Sequence, residues 1–247
     1  MPRFKLTVEY DGTGLAGWQR QNDFPSVQGC LETALGKING VWKEVVSAGR
    51  TDAGVHALGQ VVHVDMEKPI LPYNVMHGIN FHLLELSPNI IVKHAEQVSD
   101  DFHARFSAIK RKYFYRIINR SARLSLDKYR AWHIPERLDS DLMHEAAQLL
   151  VGHHDFSTFR STQCQSNSPF KTLERLDVTR LLDEVHIHTE SRSFLHHQVR
   201  NMVGSLRLVG NGKWKPADLQ AALLAKDRKY GGETAQPQGL YLTEVVY

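Results

Sequence analysis

The stretch Ala48–Val64, AGRTDAGVHALGQVVHV, sets a single carboxylate, Asp52, between Arg50 two residues before it and Gly54 two residues after it. An acid in a glycine-bearing turn has two readings. It can do no more than close the turn, because Asp hydrogen-bonds its own backbone there and Gly takes positive φ. Alternatively it is a working charge, and a cation from elsewhere in the chain serves it. Arg200, in FLHHQVRNMVG, is the matching cation, with Phe194, Val199, Met202 and Val203 around it on the expected helix. A guanidinium leaving such an apolar neighbourhood takes a partner, because an unpaired charge there is costly.

Other residues with chemical potential fit their chemistries less well. The pairs His153–His154 and His196–His197, among 14 histidines, lack the i,i+4 spacing with a carboxylate that a helical zinc site needs, so no metal is expected. Two distant cysteines, Cys30 and Cys164, support neither a disulfide framework nor a Cys-type zinc site. TDAG is similar to the Asp-Thr/Ser-Gly loop of aspartic proteases, but those need a second such loop and the second half offers none. DGTGLAG lacks the Lys-Ser/Thr of a phosphate-cradling P-loop.

The elements that would position these residues repeat once. RFKLTVEY alternates as a half-buried strand, with Phe4, Leu6, Val8 and Tyr10 on one side. Ser26 reads as the cap of a helix whose apolar stripe, Val27, Cys30, Leu31, Ala34, Leu35 and Ile38, ends at Asn39-Gly40. The apolar runs KEVVSA and QVVHVDM flank the Asp52 loop, Pro72 to Leu84 reads as a helix, and NIIVKHAEQV as a strand. From Lys110 the order recurs: KRKYFYRII, a helix in DSDLMHEAAQLLVG capped by Ser140 or Asp141, the strands LERLDVTRLL and EVHIHTE, and a helix from Phe194 to Val209. A short helix at Pro216 to Ala225 and a last strand, GLYLTEVVY, complete the second half.

Each half is thus β-α-β-β-α-β. This predicts an α+β fold of two ferredoxin-like halves, antiparallel sheets with helices on one face, flanking a central basic cleft. The expected domains are 1–104, carrying the Asp52 loop, and 105–247, carrying Arg200.

A chain of 247 residues is long enough to bury a real core. Its 30 Lys+Arg against 27 Asp+Glu leave a formal charge of only +3, but the cations cluster. Phe102 to Leu126 carries seven Lys/Arg and no acid, and Ser191 to Ala217 carries five and no acid. Two such tracts in a nearly neutral chain point to a polyanionic partner. No apolar run approaches the roughly 18 residues of a membrane span, and MPRFKLTVEY has no signal-peptide core, so a cytoplasmic protein of a reducing compartment is expected.

The motif AGRTDAGVHALGQVVH resembles the catalytic segment of the tRNA pseudouridine synthases of the A family. The likeness runs through YDGTGLAGWQRQ, DFHARFSAIKRKYFYRI, GHHDFSTF and FLHHQVRNMVGSL to GLYLTEVVY, nearly the whole chain, with the six motifs in order. The resemblance implies isomerisation of uridine to pseudouridine at positions 38–40 of the tRNA anticodon stem-loop, by a homodimer, without a cofactor. It places the family's aspartate at Asp52, its active-site tyrosine at Tyr113 and its basic partner at Arg200. The sequence stops right after the last strand, so the C-terminal tail of some relatives, and the contacts it would make, are not expected here.

The reaction breaks C1′–N1 and joins C1′ to C5, and a carboxylate suits it, as in glycosidases where it stabilises or traps an oxocarbenium-like centre. Attack at C1′, addition to C6 and removal of a C2′ proton all remain open to Asp52. Tyr113 can stack on the uracil, and its hydroxyl, alone or through water, can take the C5 proton. The target must leave the helical stack, and Arg50 is the candidate to hold the deformed arm. Arg105, Lys110, Arg111, Lys213 and Lys215 are candidate phosphate contacts. The competing expectation is a paired RNA-binding module without catalysis, which has no use for an acid among phosphates.

Overall fold

A computed structural model describes residues 1–247. In chain order the elements are β1 (Arg3–Tyr10), α1 (Val27–Asn39), β2 (Val46–Ser47), β3 (His56–Asp65), α2 (Pro72–Leu86), β4 (Ile90–Val98), β5 (Lys110–Ile118), β6 (Trp132–His133), α3 (Ser140–Gln148), β7 (Gly152–Asp155), β8 (Phe170–Leu181), β9 (Glu184–Ser191), α4 (Gln198–Gly210), α5 (Pro216–Ala225) and β10 (Leu240–Val246). The chain is an α+β protein with mostly antiparallel strand pairing. It forms two compact units, Met1–Ile109 with Tyr241–Tyr247, and Lys110–Leu240. No helix is long and apolar enough to cross a membrane.

In the first unit the strand order is β4-β1-β3, antiparallel throughout, with β2 antiparallel on β3. The alternation of β1 puts Phe4, Leu6 and Val8 at zero exposure. Against them stand Leu31 and Ala34 of α1 and Val75, Ile79 and Leu83 of α2, all buried. Apolar residues at helical spacing meeting apolar residues at strand spacing account for this core. Ser26 caps α1 as expected, its side chain accepting from the Gly29 amide.

In the second unit the order is β5-β9-β8-β7, again antiparallel, with the short β6 parallel to β5. Tyr115 and Ile117 of β5, Leu176 of β8 and Ile187 of β9 are buried beneath Met143 of α3 and Met202, Val203 and Leu206 of α4.

Several elements differ from the sequence reading. KEVVSA contributes only Val46–Ser47 to the sheet. The α3 cap is Asp139, whose Oδ1 accepts from the amides of Asp141 and Leu142, rather than Ser140 or Asp141. β6 and β7 are too short for periodicity to reveal. The last strand lies with the first unit, where Tyr241 and Leu242 pair in parallel with His56 and Ala57 of β3, instead of closing the second half. The helix expected from Phe194 begins at Gln198, because His197 turns into the left-handed region at φ 64°.

Candidate active site

The Asp52 loop joins β2 to β3 and is fixed from both sides by its own unit. Before the acid, the Trp18 amide donates to the Thr51 carbonyl at 2.9 Å. The Thr51 hydroxyl lies 2.8 Å from that of Tyr10, and both residues are buried. The fully buried Gln60 donates through Nε2 to the Gly49 carbonyl at 2.8 Å. Burial pushes the Tyr10 hydroxyl up to about 12, so it keeps its proton and acts as a neutral hydrogen-bonding group. After the acid, the Val55 amide closes the turn onto the Asp52 carbonyl at 3.1 Å.

The chain YDGTGLAGWQRQ wraps this loop. Gly17 has φ +91°, and a Cβ there would stand 2.7 Å from the Thr51 carbonyl oxygen and 2.9 Å from the Ala53 amide nitrogen. Only glycine permits that approach. The Gly12 amide donates to Nδ1 of the buried His56 at 3.0 Å, and the His56 ring stacks on Tyr241 of β10 with 4.7 Å between centroids. Asp52 itself is half-buried and Arg50 is exposed. A half-buried carboxylate on a turn held at Gly49, Thr51 and Val55 is pre-positioned rather than mobile.

In the second unit Tyr113 lies on β5 opposite Thr189 of β9, half-buried, with its ring edge-on to Phe194 at 5.2 Å. The neighbouring tyrosine on the same strand face has another job. Tyr115 is buried, its hydroxyl donates to the Gln236 carbonyl at 2.6 Å, and burial holds its pKa well above the usual range. Of the two, Tyr113 is therefore the one with its ring partly open to solvent.

Arg200 sits in the first turn of α4, half-buried. Its Nε donates to the Ala235 carbonyl at 2.8 Å, and the Ala235 amide donates back to the Arg200 carbonyl at 3.1 Å. The segment GGETAQ thus anchors both Arg200 and Tyr115 through the successive carbonyls of Ala235 and Gln236. It can lie against α4 because position 204 is glycine, where a Cβ would overlap the Glu233 carbonyl oxygen. The Gly232 amide then reaches the Ser205 hydroxyl at 2.9 Å. The sequence reading did not single out this segment, and its one signal was the Gly231-Gly232 pair.

The break before α4 serves Phe194. With Gln198 Oε1 accepting the Leu195 amide at 2.9 Å, residues 194–197 form a turn instead of the expected first helical turn, and Phe194 comes to Tyr113.

The basic candidates divide. Arg50, Arg105, Lys213 and Lys215 are exposed. Lys110 is engaged by Glu174 at 2.8 Å and Glu190 at 3.2 Å. Arg111 is only 7 % exposed, and its Nη1 donates to the Arg192 carbonyl at 2.6 Å.

Residues 146–247 match a family described as tRNA pseudouridine synthase. Curated relatives bearing the name tRNA pseudouridine synthase A are similar over the whole chain. The one from Paramagnetospirillum magneticum is 56 % identical over 247 residues, all of this chain and 96 % of its own length. Those from Mesorhizobium japonicum and Sinorhizobium medicae are 54 % and 53 % identical, each over 100 % of both chains.

Proposed function

The chain belongs to the tRNA pseudouridine synthase A family, and from that premise we propose that it isomerises uridine to pseudouridine at positions 38–40 of the tRNA anticodon arm, with Asp52 as the reacting carboxylate. Its main structural support is the loop geometry: a half-buried acid on a turn fixed at residues on either side. Such fixing suits a group that must meet one atom of a bound substrate, since misplacement of about 1 Å can cost roughly a hundredfold in rate.

The reaction is balanced without a co-reactant. The C1′–N1 bond breaks, C1′ joins C5, and the C5 proton is lost as N1 gains one, with no net change in oxidation state. The residues therefore need only stabilise charge, hold the detached base and move a proton. Asp52 handles the positive character at the sugar or adds to the ring. Arg200, held by Ala235, supplies the positive charge of the site. The half-buried Tyr113 stacks its ring on the uracil, and its hydroxyl, alone or through water, accepts the C5 proton as it passes its own proton on to solvent, so that the proton count balances with the one gained at N1.

The first unit carries the split β-α-β-β-α-β order and the second its four-stranded antiparallel sheet with helices but without a closing strand, which we read as a ferredoxin-like half bearing the acid and a variant of it bearing the tyrosine and arginine. Arg50 holds the displaced strand, while Arg105, Lys213 and Lys215 contact phosphates. Lys110 and Arg111, already engaged, steady β5 and contribute to the field more than to direct contact. The protein works as a homodimer in the cytoplasm, where its tRNA is found. Incubation with unmodified tRNA tritiated at C5 of uracil tests the assignment. Release of tritium supports it, and tight binding with full retention would leave only an RNA-binding module.

A further inference from the structure

We propose that Phe106 is a stacking platform for an unpaired base of the bound tRNA, a surface outside the Asp52 loop that rests on the reading of tRNA as substrate. The segment Phe102–Ser107, between β4 and β5, belongs to no helix or strand, yet each of its amides is taken. Phe102 donates to the Ser99 carbonyl, His103 to the Ser107 hydroxyl and Ala104 to Nδ1 of His63. Arg105 and Phe106 both donate to Nδ1 of His103, and Ser107 to the His103 carbonyl. Ala104 is gripped on its other side as well, since its carbonyl accepts from the Tyr247 hydroxyl at 2.7 Å. Arg3 Nη1 donates to the Phe102 carbonyl at 2.9 Å.

Internal satisfaction of this kind is the mark of a loop with a fixed shape. The shape turns Phe106 outward at 73 % exposure. A single exposed apolar residue ordinarily needs no explanation. Here, however, the backbone beneath the ring is pinned, so the ring is displayed at a defined place while contributing little to the core. One neighbour is the His103 ring, 4.4 Å away and tilted by 33°. Another is the Arg105 guanidinium, 5.8 Å from the Phe106 centroid.

An aromatic ring displayed beside a guanidinium is the pairing that single-stranded nucleic acid sites use. The ring takes the base by its π-face and the cation takes charge from the backbone. The adjacent charge favours this partner over an apolar protein surface, because the residue next to Phe106, Arg105, is exposed and sets its guanidinium over the ring. Since the loop is already ordered, binding meets little of the entropy cost that a mobile loop would add.

The test uses the full chain with Phe106→Ala, Phe106→Leu and Phe106→Trp, tRNA filter binding, single-turnover tritium release at saturating enzyme, and sedimentation. Phe106→Ala should weaken tRNA binding roughly 5- to 100-fold, with the saturating rate within about twofold of wild type. Phe106→Leu should recover only part of the affinity, because it restores apolar bulk without a π-face. Phe106→Trp should bind like wild type, and its added emission should be quenched by tRNA. Wild-type affinity in Phe106→Ala, or unquenched emission in Phe106→Trp, overturns the proposal. So does a loss of self-association in Phe106→Ala, which would make the ring a contact between copies. Failure of the wild-type protein to release tritium would count against the isomerase assignment, while the binding and quenching results would still decide the platform.

Discussion

The Tyr10 hydroxyl and the Thr51 hydroxyl stand 2.8 Å apart in a buried contact between β1 and the residue that immediately precedes Asp52. Through it the first strand of the chain sets where the acid lies. Gln60 adds the second tie, to the Gly49 carbonyl, so the loop is held at Gly49 and Thr51 by groups that do not themselves react.

Thr51→Val keeps the shape of the side chain and deletes its hydroxyl, and should lower the rate at saturating tRNA about tenfold with KM nearly unchanged. Tyr10→Phe should behave likewise. Thr51→Ser should restore most of the rate, because it returns the hydrogen bond. Steady-state kinetics for the three variants separate this from general loosening, which would raise KM and lower Tm together.

Tyr113→Phe retains the ring and should bind tRNA normally while releasing tritium 10²- to 10⁴-fold more slowly, the usual worth of general-base assistance. Tyr113→Leu should lose affinity as well, by about 1–3 kcal/mol of stacking. A Phe variant as fast as wild type would show that the C5 proton leaves by another route.

His63 gives a pH dependence of stability. Burial, with Arg3 and His103 nearby, lowers it to about 4, so the folded ring is neutral and accepts the Ala104 amide. In the unfolded chain it titrates near 6.5, the ordinary value. Between those limits the unfolded state binds the extra proton, so this contribution is complete above about pH 6.5 and is lost as the pH falls toward 4. Its steepest slope is about 1.4 kcal/mol per pH unit. His188, also lowered by burial, acts in the same sense. Glu184, held down to about 2 by Arg116, loses its contribution only below the ordinary carboxylate range. Denaturation from pH 7 to 4.5 should therefore show falling stability, and His63→Gln should show a shallower fall.

What the sequence made legible was local. Period two in β1 and helical period in α1, with Ser26 at its head, specify those elements from their own residues. Asp52, Arg50 and Gly54 stood out because a turn concentrates unusual residue types. Less legible was whatever depends on a distant backbone. The acceptors of Arg200 and Tyr115 are carbonyls of Ala235 and Gln236, and a carbonyl has no residue signature. The start of α4 was misplaced because Phe194 and Leu195 continue an apolar pattern, while the decisive event is a side chain, Gln198, closing a turn. The allegiance of β10 is decided by β3, some 180 residues earlier, and no property of GLYLTEVVY announces it. Similarly, the pairing of Lys110 with Glu174 and Glu190 could not be seen in a tract whose charged residues are all basic.

The most direct measurement is single-turnover tritium release by Asp52→Asn on tRNA labelled at C5 of uracil, beside a binding titration of the same preparation. The substitution removes the reacting oxygen anion but little contact area, and it deletes a negative charge facing a polyanion. Release should fall to background while tRNA affinity stays within a few fold of wild type or improves slightly. Turnover clearly above background in a preparation free of wild-type enzyme would contradict Asp52 as the reacting group.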